Sequence, residues 1–185
     1  WEREAENWIA WARAPGHDAY WEYRHAFFEL LPAPGGPALE IGCGEGRVSR
    51  DLSERGYEMT GLDASPTLVR AAVTADPTGN YLLGDAADLP FPDATFDLVV
   101  AYNSLMDVED MPAAVAQARR VIKETGRFCV CITHPIDEAG SFSEREPDAP
   151  FVIAEDCLTA RWREVSFDTG GLRMTFRGWV YPLEQ

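Results

Sequence analysis

The sequence predicts an α/β fold, an open and mostly parallel sheet with helices on both faces. Three observations carry this. Apolar runs of strand length alternate with helix-patterned segments between residues 38 and 134. Those runs are apolar throughout rather than at every second position, the pattern of strands buried on both faces of a parallel sheet. The chain of 185 residues, 46% hydrophobic and 25% charged, is long enough to bury one core without staples.

The elements follow in order. Residues 1–14 and 18–31 read as helices. In the second, Tyr20, Tyr23, Phe27, Leu30 and Leu31 recur near the 3.6 period, and Asp18 suits its N-cap. Pro32 stops it, and Pro32 to Pro37 forms a turn-rich link. Ala38 to Gly42 is a buried strand, Arg47 to Gly56 a helix closed by glycine, and Tyr57 to Asp63 a second strand. Ser65 to Ala75 is a helix with Ser65 as N-cap and Pro66 at its first position. Asn80 to Asp85 and Phe96 to Tyr102 are the third and fourth strands. Met111 to Gly126 reads as one helix with Asp107 as its cap, and Arg127 to His134 as the fifth strand. Residues 135–150 read as a loop. Residues 161–169 and 172–181 read as an antiparallel pair turned by Asp168-Thr169-Gly170-Gly171.

Charge narrows the partners. The 31 acidic against 16 basic residues leave a net −15. That opposes binding to a nucleic-acid phosphate backbone or to an anionic membrane surface. Small molecules and proteins remain. The four cysteines form no C-x-x-C pair, which argues against structural zinc, and no metal site is expected. No run of 18 apolar residues occurs, and the acidic start WEREAENWIAWARA lacks the form of a signal peptide, so the expected location is cytoplasmic.

The chemistry concentrates at the carboxyl ends of strands. In ALEIGCGEG (Ala38 to Gly46), three alternating glycines make a strand-to-helix turn where a ligand can lie on bare backbone, near helix N–H groups. A plain tight turn would use the same residues. The third glycine comes one position too early for the dinucleotide pattern G-x-G-x-x-G. Asp63 ends the second strand, where a carboxylate can accept both ribose hydroxyls, or can simply precede a helix. Asp85, after the third strand, could accept an adenine amino group. Taken singly, it reads as a loop aspartate in an acidic chain.

Together, LEIGCGEG (Leu39 to Gly46), TGLDAS (Thr60 to Ser65), GDAADLPFPDATFDLVVA (Gly84 to Ala101) and RRVIKETGRF (Arg119 to Phe128) resemble the class I, seven-stranded, S-adenosylmethionine-dependent methyltransferases. The resemblance covers residues 38–134, and SLMDVED (Ser104 to Asp110) and THPIDEAGSF (Thr133 to Phe142) look like a bacterial subgroup of small-molecule methyltransferases. It implies a Rossmann-like sheet with an N-terminal helical cap over residues 1–34, a cofactor-binding core over 35–134 and a substrate-side loop and β-hairpin over 135–185, all one domain. Because the family sheet has seven strands, it also implies a C-terminally incomplete chain. It implies that Glu40, Gly42, Cys43, Gly44 and Gly46 surround the methionine and ribose of S-adenosylmethionine. Asp63 would bind the ribose diol, with Ala64 at the adenine and Ser65 beside it. Asp85 and Ala86 would read the adenine edge, and Tyr102 and Asn103 would sit under the sulfonium.

On the acceptor side, AYNSLMD (Ala101 to Asp107) is not the tetrapeptide of nucleobase methyltransferases. The reading is therefore methyl transfer to a small-molecule acceptor through oxygen or nitrogen, with S-adenosylhomocysteine as product. Alternatives are an NAD-dependent oxidoreductase and a non-catalytic cofactor-binding module. His134, at the end of the fifth strand, reads either as a catalytic base or as the residue that positions the turn at Pro135. Asp107 is a second candidate base. Tyr20 or Tyr23 reads as a ligand of the cofactor carboxylate or as core. Cys43 reads as a small packing residue, although a helix dipole there can activate a thiol.

Overall fold

A computed structural model describes residues 1–182 apart from positions 17, 135, 138, 145, 147, 157, 170 and 171. A 3-10 turn at Glu2–Glu4 leads into α1 (Ala5–Ala12), and α2 (Ala19–Glu29) starts at Asp18, whose side chain accepts the Trp21 N–H. The alternation then runs β1 (Pro37–Ile41), α3 (Arg47–Glu54), β2 (Glu58–Asp63), α4 (Pro66–Ala75), β3 (Asn80–Leu83) and β4 (Phe96–Tyr102). A 3-10 turn at Leu105–Asp107, α5 (Met111–Val121) and β5 (Ile122–Cys131) complete it. The five strands pair in parallel in the order β3-β2-β1-β4-β5.

Pleating sends successive side chains to opposite faces. Leu39, Ile41, Val99 and Ala101 meet Ala114, Ala118 and Val121 of α5 on one face. Ala38, Leu98, Val100 and Tyr102 meet Val48 and Leu52 of α3, with Tyr20 and Phe27 of α2, on the other. Both faces are covered, and this is why β1 and β4 are apolar at consecutive positions.

Three local expectations are corrected. The helix read as Met111 to Gly126 ends at Val121. There Ile122 takes extended backbone (φ −80, ψ 141) and pairs with Phe96. The chain bulges over 123–126, where Lys123 pairs with Asp97 at 2.6 Å, before Arg127 resumes the ladder opposite Leu98. A buried β-branched residue with a waiting strand partner overrides helical periodicity here. The cap of α5 is Asp110, whose side chain accepts the Ala113 N–H at 3.0 Å, and not Asp107. Within the expected loop 135–150, Gly140–Phe142 is a strand, β6, paired antiparallel with β7 (Phe151–Ile153).

The expected hairpin is present as β8 (Arg161–Thr169) and β9 (Leu172–Val180). Its turn glycines Gly170 and Gly171 lie outside the described residues. Strand β9 packs on α1 and on the turn at Leu105–Asp107. Trp179 Nε1 donates to the Glu109 carbonyl at 3.0 Å, which ties the hairpin to the segment that follows β4.

Leu39 is fully buried between sheet and helix. Leu39→Ala should cost about 2–5 kcal/mol of stability through lost burial and the cavity left behind, measured by urea unfolding.

Candidate active site

The chain steps outward from β1 to β2 and β3 and then returns to β4 on β1's other side. The crevice beyond the carboxyl ends of β1 and β4 is therefore the topological switch point, where open parallel sheets bind ligands. Two segments meet there. The Gly42 and Cys43 N–H groups both donate to the Leu62 carbonyl, at 2.8 and 3.0 Å, which binds the start of the glycine turn to β2. Ser104 Oγ, past β4, donates to the Ile41 carbonyl at 2.6 Å. Gly42 has φ +71, and a Cβ there would run into the Ser104 side chain.

The three glycines have separate reasons. Gly42 makes room for Ser104. Gly44, at φ +56, meets nothing nearer than Trp8 Nε1 at 3.7 Å and leaves bare backbone beside a cavity. Gly46, at φ +85, lets α3 start against Tyr81 and Ala72, and it is not part of the cavity wall.

The cavity has a volume of about 1290 Å³. That exceeds the ~300–1,000 Å³ usual for one small ligand, so two molecules can share it. Glu40, Gly42, Cys43, Gly44, Asp63 and Ala64 line it from β1 and β2. Asp85, Ala86, Tyr102 and Asn103 line it from β3 and β4, so the structure brings these expected residues together. Both Asp63 oxygens are engaged from behind, accepting the Gly44 and Ser65 N–H groups at 2.8 Å each. Burial still pushes the Asp63 carboxyl above its ordinary range. Glu40 is 1% exposed and accepts from Ser49 Oγ at 2.5 Å. Burial pushes it up to about 8. Burial also pushes the Cys43 thiol up, which opposes activation by the helix dipole and suits a packing residue. Asp85 is exposed and its Oδ1 accepts the Ala87 N–H at 2.8 Å, while Ala86 packs in the core beneath. The Tyr102 hydroxyl is buried without a hydrogen-bond partner among the described residues.

Other expected residues sit elsewhere. Ser65 is not on the wall. It caps α4 through the Leu68 N–H at 3.2 Å and bonds the Glu2 carboxylate. Tyr20 reaches the wall, but its hydroxyl is committed to Asp51 at 2.5 Å, and Tyr23 is exposed. His134 lies past the end of β5, exposed and off the cavity wall, with Nδ1 accepting the Ile136 N–H at 3.2 Å. That is the turn-positioning geometry.

Sequence reasoning missed Arg47 and Trp8. Arg47, the first residue of α3, pairs with Asp18 at 2.5 Å and lies 4.3 Å over the Tyr20 ring and 5.3 Å over the Trp8 ring. It is a cation on the cavity wall at the glycine turn. Its signal was its place directly after the last glycine. Trp8 and Trp11, one helical turn apart on α1, both line the cavity, and that i, i+3 spacing was visible.

Residues 39–130 match a family described as a methyltransferase domain. Over 93 residues the chain is 38% identical to a malonyl-[acyl-carrier protein] O-methyltransferase of Serratia marcescens, covering 50% of this chain and 36% of that one. It is 32% identical over 122 residues to a demethylmenaquinone methyltransferase of Tropheryma whipplei, covering 64% and 50%. The chain thus spans half or less of the length of these curated relatives. Its fold matches a crystal structure from Listeria monocytogenes titled as an S-adenosylmethionine-dependent methyltransferase, with TM-score 0.68, 17% identity and coverage of 90% and 79%.

Glu40 gives a pH test. Its folded value, about 8, lies above its ordinary 4.5, so the folded state keeps a proton that the unfolded chain releases in between. Stability contributed by Glu40 is present below its unfolded value and is lost as pH rises towards 8, by up to about 1.4 kcal/mol per pH unit. Glu40→Gln should flatten the fall of the unfolding free energy between about pH 5 and 8, followed by urea titration at several pH values.

Proposed function

This chain belongs to the class I S-adenosylmethionine-dependent methyltransferases, and from that premise we propose that it carries a methyl group from S-adenosylmethionine to a small-molecule acceptor through an oxygen or nitrogen nucleophile. The observation that carries the proposal is the pairing of Gly44 with Asp63. Open backbone and a buried carboxylate stand side by side at the switch point, on the wall of a cavity large enough for two molecules. The residues fit the cofactor. The Tyr102 hydroxyl, buried without a hydrogen-bond partner among the described residues, is the kind of polar group a bound ligand completes, and Gly44 leaves room beside it for close approach.

When bound, S-adenosylmethionine supplies a sulfonium-activated methyl group. The chain's part is to hold and orient. Asp63 retains lone pairs for the ribose diol, Asp85 and Ala86 take the adenine edge, and Tyr102 and Asn103 underlie the sulfonium end. Arg47 stands at the glycine turn, where a cation would meet the cofactor carboxylate. Proximity in the cavity supplies most of the rate, and no covalent protein intermediate is needed. The net −15 charge favours a small molecule over a nucleic acid as acceptor. No helix among the described residues is long and apolar enough to cross a membrane, and a cytoplasmic setting accords with the composition.

Calorimetry tests this. S-adenosylhomocysteine should bind and NAD should not; the reverse result would remove the methyltransferase reading. Asp63→Ala should weaken S-adenosylhomocysteine binding by about 1–3 kcal/mol through lost charged hydrogen bonds. An unchanged affinity would show that Asp63 does not hold the ribose.

A further inference from the structure

The cofactor takes one half of the cavity; the turn after β4 and the hairpin build the other. Cross-strand register puts Val165 opposite Phe176 and Phe167 opposite Met174, so these side chains share one hairpin face with Gly178 and Val180 and with Arg163 and Arg161, which stand opposite those two. Trp162, Glu164, Ser166, Asp168, Arg173, Thr175, Arg177 and Trp179 take the other face. Val165, Phe167, Phe176, Gly178 and Val180 line the cavity from the first face, beside Arg163. Phe176 lies edge-on to Trp1, Trp8 and Phe167, at ring separations of 5.6, 6.2 and 5.3 Å. These four rings line the cavity wall and offer both ring edges and ring faces.

The Asp107 carboxylate stands at this aromatic chamber, and Glu109 also lines the cavity. Asp107 stands on the 3-10 turn beneath β9, and a Cβ built on Gly178 would come within 3.2 Å of its Oδ1. A Cβ there would first meet the Met106 carbonyl at 2.6 Å, so Gly178 lets β9 press on this turn, and the Asp107 carboxylate lies just beyond that contact. Burial pushes Asp107 up to about 7, against the pull of the Trp1 amino group and a hydrogen bond from the Trp1 side chain, with the like charge of Asp63 adding to the rise. Among the other charges nearby, Arg177 of β9 is paired with Glu164 at 2.8 Å, and Asp110 is committed to capping α5. Arg163 lines the same cavity from β8.

Resting on the methyltransferase reading above, we propose that this half of the cavity seats the ring of an aromatic acceptor, with its hydroxyl on Asp107, which takes the proton as the methyl group arrives. The O–H proton passes to the Asp107 carboxylate, an oxygen–methyl bond forms, and the sulfur–methyl bond breaks with its electron pair left on sulfur. The products are an aryl methyl ether, S-adenosylhomocysteine and a protonated Asp107. Aromatic walls favour a planar ring over a saturated one of equal size, because edge-to-face contacts are lost when the ring is puckered. A carboxylate held near neutrality is matched to take a proton from a neutral hydroxyl at physiological pH.

The test uses 2-naphthol as probe and decalin-2-ol as its saturated counterpart, titrated calorimetrically into protein saturated with S-adenosylhomocysteine. The naphthol should bind about tenfold tighter than the decalinol, and Phe176→Leu should remove most of that difference while leaving S-adenosylhomocysteine affinity unchanged. Wild-type affinity for naphthol should fall as pH drops through about 7, where the carboxylate gains a proton and loses its accepting strength. Asp107→Asn should bind naphthol without that pH dependence, and Asp107→Glu should restore it. Equal binding of the two probes, no binding of naphthol, or a pH dependence that survives in Asp107→Asn would overturn the proposal. Failure of the wild-type protein to bind S-adenosylhomocysteine would instead strike the methyltransferase reading itself.

Discussion

The hydrogen bond from Ser104 Oγ to the Ile41 carbonyl is the constraint on which the site depends. It joins the last residue of β1 to the segment that leaves β4, across the line where the sheet changes direction. Neither segment has an obligatory partner of its own there. The Ile41 carbonyl lies at a strand's end, and the chain after Tyr102 has left the ladder, its next residue Asn103 held at φ 50 with its N–H on the Cys131 carbonyl. Ser104 satisfies the first and anchors the second. Gly42 is the geometric counterpart, since a side chain at φ +71 would occupy the Ser104 position. The glycine turn is thus fixed from two sides, by Leu62 of β2 and by Ser104 after β4, and the cavity lies between these supports.

The electrostatics follow from that enclosure. Glu40, Asp63 and Asp107 are three carboxyls that burial shifts in one direction, towards the neutral form. The means of support differ. Glu40 has a serine hydroxyl and Asp63 has two backbone N–H groups. At Asp63 the two backbone N–H groups oppose the rise that burial causes. Arg47 on the wall favours the charged form of Glu40, and its pairing with Asp18 shares that charge with the cap of α2. One side chain therefore links the N-terminal helix to the glycine turn, and this explains how the cap is oriented over the cavity.

Much of the core was legible because it is periodic or local. Asp18 and Ser65 are N-caps by short-range chemistry, and both act as such. The strands of the parallel sheet announce themselves through runs that must be apolar on both faces. The chain end of α5 was not legible, because the fate of Ile122 depends on Phe96, distant in sequence and unrelated to helical periodicity. The same holds for Asp107. Asp110 caps α5 in its place, and only the packing of β9 on the 3-10 turn brings Asp107 to the cavity wall. His134 shows the reverse. A histidine at a strand's carboxyl end fits a catalytic base on paper, yet the strand ends at Cys131, and the following residues carry His134 out to solvent.

The hairpin explains why the acceptor half was the hardest to read. A two-stranded hairpin is marginal in water by itself and needs a surface beneath it. Strand β9 obtains one from α1 and from the 3-10 turn, with Gly178 pressed to the Met106 carbonyl and Trp179 bonded to Glu109. Those partners come from residues far apart in the chain, and no single window of sequence contains them. The apolar alternation of β8 and β9 correctly indicates strands, but alternation is silent on whether the apolar face meets a packed layer or roofs a cavity. The difference is decided by Gly178 and Asp107 together. Asp107, half-buried and hydrogen-bonded by Trp1, lines the cavity beneath Gly178, so this end of the hairpin covers a space and not a packed layer.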